Sequence, residues 1–199
     1  MRTSDVDILI VPGWSGSGPE HWQSRWERNF KTARRVQQQD WHYPQREQWT
    51  AAIASAVSAC EQPVVLVAHS LGVIAVAHAA PLLNPGKVAG AFLVAPADTE
   101  NAQNWPLTEG FSFEKQEDRF APLPMNPLPF PTMLVASRSD PYCSFERAET
   151  LAKGWEATLI DAGDIGHVNV ASGHGPWPEG LLRFGLFLKG LSGAALRTH

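Results

Sequence analysis

The sequence predicts an α/β chain in which a mostly parallel sheet carries helices on both faces. Strand-like runs are apolar at consecutive positions, as strands covered on both sides must be, and helical repeats alternate with them along the chain. No internal repeat interrupts that alternation, and 199 residues suffice for one sizeable core, so residues 1–199 are expected to form a single domain.

The elements follow in order. A first strand runs from Asp7 to Val11 and ends in the glycine-rich turn Gly13-Trp14-Ser15-Gly16-Ser17-Gly18. Gly18-Pro19 opens the first helix, with Pro19 near its start and Trp22, Trp26 and Phe30 recurring at helical spacing. A weaker strand is read at Arg35 to Asp40 and a second helix at Gln48 to Cys60. The apolar run Val64 to Ala68 is the clearest strand, and it passes through one sharp turn into a helix from Leu71 to Leu83. Further strands are expected at Gly90 to Ala95, Thr132 to Ala136 and Thr158 to Asp161, with helices at Phe145 to Trp155 and Glu179 to Leu191. The exception is residues 98–131, an irregular insertion in which Pro106, Pro122, Pro124, Pro127, Pro129 and Pro131 exclude a regular helix. Phe111, Phe113 and Phe120 lie within it; the insertion either crosses the carboxyl edge of the sheet and shapes a pocket or is a passive cover.

Composition narrows the function. Sixteen basic against twenty acidic residues give a net charge of −4, and no basic run exceeds Arg34-Arg35, which argues against nucleic-acid binding. Two distant cysteines, Cys60 and Cys143, suggest neither a disulfide framework nor a metal cluster, so a reducing cytoplasm is the expected location. No apolar run approaches the ~18 residues of a membrane span, and Met1 to Asp7 holds no long apolar segment before a cleavage site, so a soluble, unexported protein is expected.

The chemistry centres on Ala68-His69-Ser70-Leu71-Gly72. A strand ending in small-x-Ser-x-Gly forces the serine into a strained turn that lifts its hydroxyl above the sheet edge, and the small flanking residues let strand and helix pass closely. A serine nucleophile needs a base, and the base needs a third group to fix its tautomer. In such a sheet functional groups gather at the carboxyl ends of strands. Two places after Ser70 qualify: Asp140, in Ser139-Asp140-Pro141 after one strand, and His167, in the glycine-rich loop after the next. The order Ser, Asp, His is that of the α/β-hydrolase triad. Asp98, which also follows a buried strand, is the second candidate acid, and Asp161 and Asp164 read as local loop caps. Among the other histidines, His69 reads chiefly as packing at the elbow and His174 as a rival base or a pocket residue; both join Trp14 as candidate pocket residues. The backbone N–H groups of Trp14 and Leu71 are the expected oxyanion donors, and the indole of Trp14 would wall an acyl site. The turn at 13–18 lacks the G-x-G-x-x-G spacing of a dinucleotide site.

The segments Pro12-Gly13-Trp14, Glu20-His21-Trp22-Gln23, Ala68-His69-Ser70-Leu71-Gly72, Val94-Ala95-Pro96-Ala97-Asp98, Ser139-Asp140-Pro141-Tyr142 and Gly166-His167-Val168-Asn169 together resemble the small serine hydrolases related to retinoblastoma-binding protein nine. The resemblance implies a compact α/β-hydrolase fold with little or no lid and a triad at Ser70, Asp140 and His167. It also suggests that Gly173 to Gly180 forms a loop beside the histidine. The expected activity is cleavage of a small carboxylic ester, or a thioester or activated amide, through an acyl-enzyme on Ser70 with no metal or organic cofactor. The alternatives are a hydrolase scaffold serving as a protein-binding module and an acyltransferase.

Overall fold

The computed structural model describes residues 1–106 and 120–195. Its strands are β1 (Asp7–Val11), β2 (Ala33–Arg35), β3 (Val64–Ser70), β4 (Val88–Pro96), β5 (Thr132–Ala136) and β6 (Thr158–Asp161). Its helices are α1 (Trp22–Asn29), α2 (Arg46–Ser58), α3 (Leu71–Ala79), α4 (Phe145–Gly154) and α5 (Pro178–Ala195). The strands form one parallel sheet in the order β2-β1-β3-β4-β5-β6.

Alternation along each strand divides the core into two layers. Leu9, Val64, Leu66, Ala91, Leu93 and Leu134 face α2, α3 and α4, where Trp49, Ile53, Val73, Val76 and Leu151 pack on them. Ile8, Ile10, Val65, Val67, Phe92, Val94 and Val135 face α1 and α5, against Trp22, Trp26, Phe184, Phe187 and Leu188. Burial on both faces is why the strand runs are apolar throughout. The tryptophans of α1 are therefore core: Trp22 and Trp26 meet edge to face at 4.8 Å. Among the described residues no separate lid layer is present.

Several boundaries depart from expectation. The edge strand is Ala33–Arg35, not Arg35 to Asp40, because pairing with Ile8, Leu9 and Ile10 sets its register, and the chain leaves the sheet after Val36 N–H bonds to the Ile10 carbonyl. Its two arginines are held by ion pairs, Arg34 to Asp7 at 3.1 Å and Arg35 to Glu27 at 3.0 Å, which no apolar pattern reveals. Pro19 lies in a turn ahead of α1, closed by His21 N–H bonding to the Gly18 carbonyl, and His21 caps the helix by accepting from Gln23 N–H through Nδ1. α3 stops at Ala79 and continues as a 3₁₀ turn, Ala80–Leu82, because Pro81 lacks the N–H an α-helix needs. Within residues 98–131 a short 3₁₀ segment covers Thr99–Asn104, and residues 107–119, with Phe111 and Phe113, lie outside the described residues.

Two histidines are buried where α1 meets the sheet. Burial drives the His21 imidazole from 6.5 down to about 3, helped by the neighbouring His167 and Arg35. It drives His69 well below its ordinary value as well, with His21 and His167 adding to the effect. Both are neutral in the folded state at pH values where the unfolded chain binds protons. Stability from keeping them neutral is complete above about pH 6.5 and is lost as pH falls below it. Urea unfolding at pH 6, 5 and 4.5 should show stability falling by about 1.4 kcal/mol per pH unit for each histidine, and His21→Gln should remove one such increment.

Gly72 supplies a second prediction. A Cβ there would stand 2.4 Å from the Val11 carbonyl oxygen and 2.5 Å from that of Pro12, both fixed backbone. Gly72→Ala should cost about 1–3 kcal/mol or more in urea unfolding. Gly185→Ala on α5, where an added Cβ meets nothing within 4 Å, should instead stabilise by up to about 1 kcal/mol.

Candidate active site

Ser70 ends β3 at φ 57° and ψ −126°, a left-handed backbone that a serine adopts only under constraint. The constraint is close packing. The first turn of α3 lies on the β1 turn at Gly72, and an added Cβ on Gly13 would stand 2.8 Å from Ser70 Cβ and 3.1 Å from the Leu71 nitrogen. The register of β3 against β4 shifts between His69 and Ser70, which marks where the chain leaves the sheet to make the elbow.

Asp140 and His167 come from the loops after β5 and β6, and side-chain to backbone bonds fasten those loops together. Ser137 Oγ accepts from Ile165 N–H at 3.0 Å, Ser139 Oγ accepts from Gly166 N–H at 3.0 Å, and Arg138 N–H donates to the Gly163 carbonyl. Asp161 accepts from Gly163 N–H and from the Arg138 guanidinium, so it caps the loop. The hydrogen bond and charge of Asp161 raise the pKa of the Arg138 guanidinium, and the nearby negative charge of Asp164 adds a smaller push in the same direction.

The three expected catalytic groups meet. Ser70 Oγ–H donates to His167 Nε2 at 2.8 Å, and His167 Nδ1–H donates to Asp140, 2.9 Å from each carboxylate oxygen. An ionised carboxylate can only accept, which fixes the proton on Nδ1 and leaves the Nε2 lone pair toward the hydroxyl. Asp140 also accepts from Tyr142 N–H at 2.9 Å, and its side chain is 2% exposed. The His167 ring lies between Tyr142, at 4.3 Å, and His69, at 4.8 Å. Such an array can take a proton from an alcohol and return it to a leaving group.

The second candidate acid, Asp98, is committed elsewhere: it accepts from Asn101 Nδ2 at 2.7 Å and stands 3.4 Å from Arg147 Nε. A cavity of about 500 Å³ opens on the Asp140 side of the triad, lined by residues that include Asp98, Trp105, Asp140, Tyr142 and Arg147. Its lining includes neither Ser70 nor His167, so it lies beside the expected nucleophile and not around it, and Trp14, His69 and His174 are placed by their own contacts. His69 is buried, with Nε2–H donating to the His167 carbonyl at 2.8 Å. His174 pairs through Nδ1 with Ser172 Oγ at 3.1 Å and meets Trp177 edge-on. Trp14 is half-buried, its indole N–H donating to the His42 carbonyl at 3.0 Å, so its ring follows the 41–43 loop. Sequence reasoning also passed over Trp22 and Gln23, which approach the site from α1. The segment Glu20-His21-Trp22-Gln23, one of those that carry the family resemblance, was their signal, but helical spacing accounts for Trp22 equally well as core.

Among the described residues no cluster of His, Cys, Asp and Glu could hold a metal, and no helix is long and apolar enough to cross a membrane.

A family model described as serine hydrolase matches residues 8–185. The chain is 36% identical to a YdeN-like hydrolase from Pectobacterium atrosepticum, covering 95% of this chain and 94% of that one with a TM-score of 0.80. The ydeN gene product of Bacillus subtilis is 18% identical, over 92% of this chain and 99% of that one, with a TM-score of 0.68. Esterase 2 of Thermogutta terrifontis is 16% identical, over 96% and 86%, with a TM-score of 0.65. At these last two identities the likeness is one of fold, and no curated protein matches the chain. The narrower kinship with retinoblastoma-binding protein nine rests on the sequence segments alone. Because the family match runs from the first strand into the last helix, the chain belongs to the serine hydrolases and is an enzyme of the α/β-hydrolase superfamily.

Proposed function

We propose that the enzyme cleaves small carboxylic esters through an acyl-enzyme on Ser70, with His167 as general base and Asp140 as the group that orients it. The observation that carries this reading is the unbroken relay of 2.8 Å and 2.9 Å contacts from hydroxyl to imidazole to carboxylate. In the first step Ser70 Oγ bonds to the ester carbonyl carbon while its proton passes to His167 Nε2. Collapse of the tetrahedral intermediate breaks the C–O bond, and the same proton leaves with the alcohol. Water then repeats the sequence, with His167 taking its proton, and releases the acid. Asp140 stays ionised throughout and stabilises the imidazolium.

The oxyanion donors in this reading are the amides of Leu71 and Trp14. Leu71 begins α3, where an N–H has no acceptor in its own helix and the helix dipole favours negative charge. The β1 turn that carries Trp14 lies against the elbow at Gly13, which supports the second donor. Two buried, unpaired thiols, Cys60 and Cys143, favour a cytoplasmic location.

A fluorophosphonate probe should label wild-type protein at Ser70, and Ser70→Ala should abolish both labelling and hydrolysis of nitrophenyl esters. A labelled site other than Ser70 refutes the reading. Asp140→Asn should keep the fold by circular dichroism and lower kcat by about 10³–10⁴-fold, because an amide cannot hold the required tautomer or stabilise the imidazolium. Near wild-type turnover in that variant rejects Asp140 as the orienting group.

A further inference from the structure

The histidine loop is held by two ring donors that the triad itself does not employ. Its backbone is left-handed at Gly163, Gly166 and Val168, with φ of 76°, 63° and 49°. Glycine accepts that conformation readily; a β-branched valine does not, and Val168 is fully buried. A turn of this kind persists only where its surroundings hold it. Here two consecutive carbonyls of the loop are grasped from below. His69 Nε2–H donates to the His167 carbonyl at 2.8 Å, and Trp22 Nε1–H donates to the Val168 carbonyl at 2.9 Å.

Both donors are themselves fixed. His69 precedes Ser70 in β3, so whatever sets the nucleophile also sets this donor. Trp22 is fully buried at the start of α1, and its neighbour Gln23 ties that helix to the sheet. Gln23 Nε2 donates to the Val11 carbonyl at 3.2 Å and the Val67 carbonyl at 3.1 Å, while its Oε1 accepts from Ser17 Oγ at 2.8 Å. The His69 ring also packs between two others, 4.8 Å from His21 at a tilt of 58° and 4.8 Å from His167 at a tilt of 53°, so the His167 imidazole has a ring contact as well as a tether.

We infer that Trp22 and His69 are positioning residues: their ring N–H groups hold the His167–Val168 backbone in its left-handed turn and so keep His167 Nε2 within hydrogen-bond reach of Ser70. The inference rests on the triad reading given above and extends it. Neither ring touches the reacting atoms. Their effect passes through the placement of the base, where a displacement of an ångström is enough to slow proton transfer severely.

The test uses the full chain and a fluorophosphonate probe, reading the maximal inactivation rate separately from the probe concentration that gives half of it. Folding is checked by circular dichroism, and the His167–Asp140 hydrogen bond by its far-downfield proton resonance. His69→Leu and Trp22→Phe should each lower the maximal rate by about 10- to 100-fold with the half-saturating concentration changed by less than about two-fold. His69→Gln places an amide N–H near the same carbonyl and should recover the rate to within about five-fold of wild type. The downfield resonance should broaden or vanish in His69→Leu and persist in His69→Gln. Should His69→Leu not fold, Trp22→Phe carries the test, since it keeps the aromatic surface and deletes the donor.

Folded variants that react at the wild-type rate overturn the inference, as does a His69→Gln variant as slow as His69→Leu. Full labelling in His167→Ala would sink the triad reading, and this inference with it; that variant leaves both ring donors in place, so the two failures are told apart.

Discussion

The active end of this molecule depends on the contact between the start of α3 and the turn after β1. Gly72 presses against the Val11 and Pro12 carbonyls, and Gly13 presses back against Ser70 and Leu71. With side chains excluded from both positions, β3 has no room to end in ordinary extended backbone, and Ser70 is driven to φ 57°. A residue so placed costs of order 1–3 kcal/mol, and the buried sheet on which it stands supplies the rigidity that maintains it. The same contact sets the oxyanion geometry proposed above, since the Leu71 amide and the β1 turn can move only together.

Parallel topology then decides which other groups can join. Every strand of the sheet runs the same way, so the loops after β1, β3, β5 and β6 all emerge at one edge. Emergence alone leaves loops too free for catalysis. The loops after β5 and β6 are joined by Ser137, Arg138 and Ser139 just ahead of Asp140 and His167, the residues proposed to act with Ser70. Those bonds couple the Asp140 and His167 loops to each other, and what is left to fix is how the His167 turn sits relative to Ser70. That is the joint which His69 and Trp22 span.

Much of this was legible in the sequence because it follows from local chemistry. Apolar runs such as Val64 to Ala68 fit strands covered on both faces, and Ala68-His69-Ser70-Leu71-Gly72 fits a strained turn with small neighbours, although read alone it also fits a buried helix N-cap serine. Asp140 and His167 stand out as the acid and the imidazole that follow a strand after Ser70, a rule of topology more than of composition. Where local pattern does not govern, the reading slipped. The β2 register is set by pairing with β1, and the Arg34–Asp7 and Arg35–Glu27 pairs that accompany it draw their acids from outside the strand's own residues. Pro19 suits a helix start and a turn equally, and the bond from His21 to Gly18 settles it as a turn. His69 and Trp22 were invisible as donors because a buried ring announces packing, while the carbonyl it serves carries no side-chain signature at all.

The choice of rings as donors has its own physical logic. The carbonyl of His167 lies beside the imidazole that becomes positively charged during the proposed proton transfer. A lysine or arginine could donate there, but it would bring a permanent like charge within a few ångströms of the imidazolium, in a low-dielectric setting where repulsion is severe. Indole can never carry a proton's charge at ordinary pH, and the His69 ring is kept neutral by its burial. On the proposed mechanism the base is thus held by groups that can fix a strained backbone and are electrically silent toward it. The cost falls at low pH, where the same burial that silences His21 and His69 makes the folded state forgo protons that the unfolded chain accepts. An acid-labile fold is, on this account, a consequence of how the histidine is held.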